Sequence, residues 1–163
     1  MLYHPEEDRI LLRVNSTTNQ EFRFWITRRY ALLLTRALAE HAESDPDIST
    51  QGSPAAKQAV KEFKHEQAIS KADFNKPFKE ESAEFPLGEQ TRLAYRLTCN
   101  RVDSVLKLGI HPKNGEGITL QIDHNLNTSI SQLLLSAAQK AQWNLGQQPV
   151  ANTAIQNEKP IIN

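Results

Sequence analysis

The chain has 163 residues, nineteen Lys+Arg against nineteen Asp+Glu, and a single cysteine, Cys99. That length suits one domain with a real apolar core, and the balanced charge excludes whole-molecule steering toward nucleic acid, anionic membrane or an acidic substrate. One cysteine excludes an internal disulfide framework and a cysteine-only metal cluster.

Taken in chain order, the start MLYHPEEDR is acidic where a signal peptide is basic and then apolar. No later run nears the roughly 20 apolar residues of a membrane-spanning helix, so the expectation is a cytoplasmic protein with no membrane partner. Ile10, Leu12 and Val14 alternate, as do Phe22, Phe24 and Ile26, which predicts two half-buried strands joined across the polar Asn15 to Gln20 as a β-hairpin. At Thr27, a suitable N-cap, the period changes: Tyr30, Leu33, Leu34, Ala37, Leu38 and His41 form one helical stripe. Arg28 and Arg29 fall in its first turn, where the helix dipole disfavours cations, a hint of an anionic neighbour or ligand.

Asp45-Pro46 stops this helix and leaves Ser44 to Gly52 as a loop. Ser53-Pro54 then opens a second helix reaching about Lys71, with a narrow apolar face of Ala56, Ala59, Val60, Phe63 and Ile69. So polar a helix docks weakly or reaches toward a partner. Residues 73–89 read as an irregular crossing pinned by Phe74, Phe78 and Phe85.

The second half returns to strands. Over Arg92 to Asn100, Leu93, Tyr95, Leu97 and Cys99 alternate with Arg92, Ala94, Arg96 and Thr98; Leu106, Leu108 and Ile110 mark the next strand and Ile118, Leu120 and Ile122 the third. Asn114-Gly115 centres a turn, with Gly115 and Gly117 read as turn residues, and the three strands predict a meander. Asp123 or Asn125 caps a last helix with the stripe Leu126, Ile130, Leu133, Leu134, Ala137 and Ala141, ending near Trp143. Residues 147–163 have no period and read as a flexible tail, with Ile161 and Ile162 as a candidate docking hook.

The order β-β-α-α-β-β-β-α with short connections predicts an α+β fold: a five-stranded antiparallel sheet with helices packed on one face. It is read as a single domain over 1–146, with 44–90 as a polar helical and irregular insertion. Phe22, Phe24, Leu33, Leu34, Leu97, Leu120, Leu133 and Leu134 are the expected core.

The two-residue strand period then puts Arg9, Leu11, Arg13, Arg23, Trp25, Arg92, Arg96 and Lys107 on the outer face, partly offset by Glu21 and Asp123. Arg9, Arg13, Arg23, Trp25, Arg92 and Arg96, with Arg28 and Arg29, are the candidate binding residues. Guanidinium forks around an indole suit a single-stranded nucleic acid. The same residues anchor protein interfaces, or pair with cross-strand acids and keep an open face soluble. A protein-interaction or adaptor domain, through a partner or self-association, is the leading expectation, and nucleic-acid binding the alternative.

Enzyme signatures are missing: no Walker loop, dinucleotide fingerprint, GxSxG elbow, HExxH, EF-hand loop or CxxC occurs. No catalytic residue, metal site or cofactor is expected. His4, His41, His65, His111 and His124 are scattered; His111 and His124 flank one hairpin, which would let them approach each other with Asp123 near, and the trio reads as structural. Cys99, on the apolar side of its strand, reads as an inert thiol. The stretches EEDRILLRVNSTTNQEFRFWITRRYALLL and ISQLLLSAAQKAQWNL resemble a family of small uncharacterised bacterial proteins. The resemblance implies a bacterial cytoplasmic origin and assigns no site residue.

Overall fold

A computed structural model describes residues 1–71, 84–145 and 161–162. The predicted crossing around Phe74 and Phe78, and the tail apart from Ile161 and Ile162, lie outside the described residues. The elements in order are β1 (Leu2–His4), β2 (Arg9–Asn15), β3 (Glu21–Ile26), α1 (Arg28–Glu43), α2 (Pro46–Ser49), α3 (Pro54–Lys71), β4 (Arg92–Leu93), β5 (Arg96–Val102), β6 (Val105–His111), β7 (Ile118–Ile122), α4 (His124–Lys140) and β8 (Ile161–Ile162).

The fold is α+β, but the single five-stranded antiparallel sheet is not what forms. There are two sheets, ordered β1-β2-β3-β4 and β7-β6-β5-β8. The β2–β3 hairpin and the β5–β6–β7 meander pair as their alternation requires, Leu12 opposite Phe24 and Leu108 opposite both Cys99 and Leu120. The division arises within the segment read as one strand over Arg92 to Asn100. Arg92 and Leu93 pair parallel with Phe24 and Trp25. The Ala94 N–H donates to the Trp25 carbonyl at 3.0 Å, and the Tyr95 N–H donates to the His111 carbonyl at 2.9 Å. The chain thus leaves one sheet and joins the other at Ala94–Tyr95. Ala94 and Leu97 are both fully buried; an odd spacing cannot keep one face in a regular strand, so the side-chain parity slips at this crossing.

Local chemistry sets the helix ends. The Thr27 hydroxyl accepts from the Tyr30 N–H at 3.2 Å and caps α1, and the Asp123 carboxylate accepts from the Leu126 N–H at 2.7 Å and caps α4. Asp45 caps the short α2, which occupies part of the predicted loop, with Pro46 in its first turn. α1 and α4 pack on one another and share the core with the inner faces of both sheets: Ile10, Phe24, Ile26, Leu34, Leu38, Leu97, Ile110, Ile122 and Leu134 are all at most 1% exposed.

Of the expected core, Phe22, Leu33 and Leu120 pack partly buried at its margin, while Leu133 is 38% exposed. The buried side of α4 instead carries Asn127, Leu134, Ala137 and Ala138. Phe63, assigned to the apolar face of α3, is 64% exposed. The N-terminal strand β1 was hidden by its three-residue length and pairs antiparallel with β2. Ile161 and Ile162 pair antiparallel with Leu97 and Arg96 at the edge of the second sheet. No helix among the described residues is long and apolar enough to cross a membrane.

Candidate functional site

The outer face of the first sheet is built by cross-strand pairs, which share a side. Leu2 opposes Leu11, Leu11 opposes Trp25, and Trp25 opposes Leu93. One row therefore crosses all four strands and is wholly apolar. Its ends are open, Leu2 being 54% and Leu93 41% exposed, and the His4 ring meets Trp25 edge-on at 5.1 Å.

Beside this row, Arg13 opposes Arg23. Like charges facing across strands repel, and the buried carboxylate of Glu21 resolves the conflict. Arg13 Nε and Nη2 donate to its two oxygens at 2.7 and 3.1 Å, and Arg23 Nε donates to Oε1 at 2.6 Å. The Glu21 side chain is fully enclosed, whereas the arginines keep roughly a quarter of their surface exposed. Arg23 also lies over the Phe85 ring, 4.6 Å from its centre. Glu21 is thus the centre of this group rather than a partial offset to it. The signal in the sequence was its position, two residues before Arg23 and so on the same strand face.

The other candidate arginines separate. Arg9 closes the edge of the same face and pairs with Glu7 at 3.1 Å. Arg92 is in register with Phe24 rather than Trp25 and donates to the Leu87 carbonyl at 3.1 Å. Arg96 stands on the second sheet opposite His111. Arg28 and Arg29 are exposed at the start of α1, whose first turn has no acidic residue. The structure brings together Arg9, Arg13, Arg23 and Trp25 and leaves Arg28, Arg29, Arg92 and Arg96 apart from them.

A second constellation lies among the four helices, around a cleft of about 690 Å³. Lys64 of α3 donates to Asp45 at 2.5 and 2.7 Å and pairs with Asp47 at 2.6 Å. Burial pushes the Asp45 carboxyl up, but the Lys64 bonds, the Asp47 amide and His124 outweigh it and hold the carboxyl below its ordinary value. Burial likewise depresses Lys64, and its two carboxylates more than reverse this. The His41 and His124 rings stack at 4.4 Å, 8° from parallel. Burial, offset in part by Asp45, lowers the His124 pKa, with His41 and Lys64 acting in the same sense as burial.

At the base of this group, Asn127 donates from Nδ2 to the Leu38 carbonyl at 3.1 Å. His41 Nδ1, His124 Nε2 and Asn127 Oδ1 are buried without a hydrogen-bond partner. The sequence carried a faint sign of these: His41 ends the apolar stripe of α1, and Asn127 is in helical register with Leu134 and Ala138. Their meeting depends on how α1 and α4 pack, which local periodicity does not encode.

His111 and His124 do not approach one another as a hairpin pair. Leu106 opposes Ile122 and Ile110 opposes Ile118, which sets His111 at the turn end and His124 beyond the other. His111 bonds the Thr98 hydroxyl at 3.1 Å and lies where a Cβ on Gly109 or Gly117 would collide with it. Gly117 therefore serves close approach, while Gly115, at φ +90°, serves the turn. Burial, reinforced by Glu40, pushes the Cys99 thiol up to about 11. Among the described residues no group of three His, Cys, Asp or Glu is placed to hold a metal. No family model, curated protein or solved structure matches the chain.

Proposed function

We propose that this chain is a protein-interaction module of a bacterial cytoplasmic protein, an adaptor without catalytic chemistry, and that it binds its protein partner through the outer face of the first sheet. The observation that carries this reading is the apolar row Leu2–Leu11–Trp25–Leu93, whose open ends lie on two different strands. An apolar row with an indole at its centre, rimmed by arginines, has the composition of an interface core. Nucleic acid is the weaker reading, because Arg13 and Arg23 already share the Glu21 carboxylate and a phosphate would have to compete with it.

The test is photo-crosslinking in the producing cells from a benzophenone side chain at Leu93, with Gln139, an exposed residue of α4, as the control site. Protein adducts that form from position 93, are absent from position 139 and disappear with Leu2→Glu are expected. A purified chain that instead binds a single-stranded oligonucleotide with steeply salt-dependent affinity, lost in Arg13→Glu, would overturn the reading. Equal crosslinking from both positions would also overturn it.

A further inference from the structure

We propose that the cleft among α1, α2, α3 and α4 binds a small organic cation bearing N–H donors, an alkylammonium or guanidinium compound. Four carboxylates line it, Glu43, Asp45, Asp47 and Glu62, against two ammonium groups, Lys61 and Lys64. At about 690 Å³ it is the size of a small-molecule site. One alkylammonium, the Lys64 side chain, already sits there between Asp45 and Asp47.

The second, independent observation is the chemistry of the three unpartnered atoms beneath. The Ser104 carbonyl, 3.1 Å from His41 Nε2, accepts only, so that nitrogen holds a proton, and in the imidazole form Nδ1 is an acceptor. The Asp45 carboxylate faces His124 Nδ1 at 3.8 Å and favours the proton there, which leaves Nε2 as an acceptor. Asn127 spends its amide on the Leu38 carbonyl, so its free atom is the oxygen. Two of these acceptors, His124 Nε2 and Asn127 Oδ1, belong to side chains that line the cleft, and His41 stacks on His124 behind them. Asn127 and His41 are each 2% exposed, and such groups are costly to leave unpaired.

An anion would add acceptors to acceptors and charge to a carboxylate excess. A stacked pair of imidazoles, with lone pairs in parallel planes, does not converge on one metal ion. A cation with several N–H groups answers both the charge and the acceptors. It meets His124 first, since that side chain lines the cleft and is 23% exposed, and Asn127 lies behind on the same helix.

The test is titration of the intact, 15N-labelled chain with agmatine, following the Asn127 side-chain amide and the His124 ring signals. Tetramethylammonium, which has charge and no donor, and succinate run in parallel. Agmatine is expected to give saturable shifts at both residues and to bind at least about tenfold more tightly than tetramethylammonium. Glu62→Gln, at an exposed position outside the Lys64 ion pairs, should weaken it severalfold with an unchanged fold. Absence of a saturable agmatine shift, equal affinity for tetramethylammonium, or preferential binding of succinate would each overturn the proposal.

Discussion

Helices α4 and α3 are of similar length and join the same body by opposite means. α4 buries Leu134, Ala137 and Ala138, with Trp143 just beyond its end, against α1 and the sheets. α3, among its described side chains, buries Ala68 alone and turns Phe63 to solvent. Its anchors are charges instead, Lys64 on Asp45 and Asp47, and Lys61 on Glu43 at 3.3 Å. Apolar burial at about 25 cal/mol per Å² carries no charge to titrate or screen, whereas partly exposed ion pairs contribute little and respond to both pH and salt. One helix belongs to the folding unit, and the other is tethered to it under conditions the solution sets.

The comparison breaks first at Leu134. Leu134→Ala should cost about 2 to 5 kcal/mol, since the lost transfer energy is joined by a cavity under two packed helices. A denaturant melt displaced by well under about 1 kcal/mol would mean that α4 is not held by this residue. Next in size is Glu21→Gln, which leaves the facing Arg13 and Arg23 without their carboxylate. The enclosed acid argues for a large effect and the quarter-exposed guanidiniums for a smaller one. About 1 to 3 kcal/mol is expected, recovered in part when Arg23→Leu is added. No recovery in that double variant would show that the loss comes from Glu21 packing rather than from like charges.

The same contrast explains what was legible in the residues. α1 and the β2–β3 hairpin could be read because their stripes bury: Tyr30, Leu34 and Leu38 at the helical period, Ile10, Leu12 and Phe24 at the strand period. Their caps are local chemistry as well, Thr27 and Asp123 bonding amides three residues on. The second sheet was missed because nothing in RLAYRLTCN marks the change at Ala94–Tyr95. A small and an aromatic residue continue the alternation while the backbone changes partners. With that change went the shared face, since Arg92 and Arg96 fall on opposite sides of the crossing. Of the cleft only a faint sign was legible, in the helical register of His41 and Asn127. Asp45 read as a helix stop and the charges of the second predicted helix only as its polar side, and the contact of Asp45 with Lys64 is a property of how α3 lies across α2 and α4.

The smallest energetic effect separates the two helices most cleanly. Lys64→Met should lower global stability by about 1 kcal/mol, since the Lys64 side chain is partly exposed while the buried Asp45 carboxylate loses its ammonium, yet loosen α3 selectively. The pH dependence carries the same message with a definite sign. The Asp45 carboxyl lies below its ordinary 3.8, so its contribution is in place above that value and is lost as pH falls through the folded pKa. Lys64 lies above 10.5, so its contribution is in place below that value and is lost as pH rises through the folded pKa. His124 lies below 6.5, so folding disfavours its protonation and stability falls as pH drops below that value and through its folded pKa. Amide-exchange protection factors should therefore fall in α3 at both pH extremes and in high salt, while in α4 any acid loss stays in the first turn, where Asp123 caps and His124 sits, and the amides around Leu134 hold because no charge anchors them. Parallel loss in the two helices would mean that α3 is part of the cooperative core and that its ion pairs merely decorate an apolar contact.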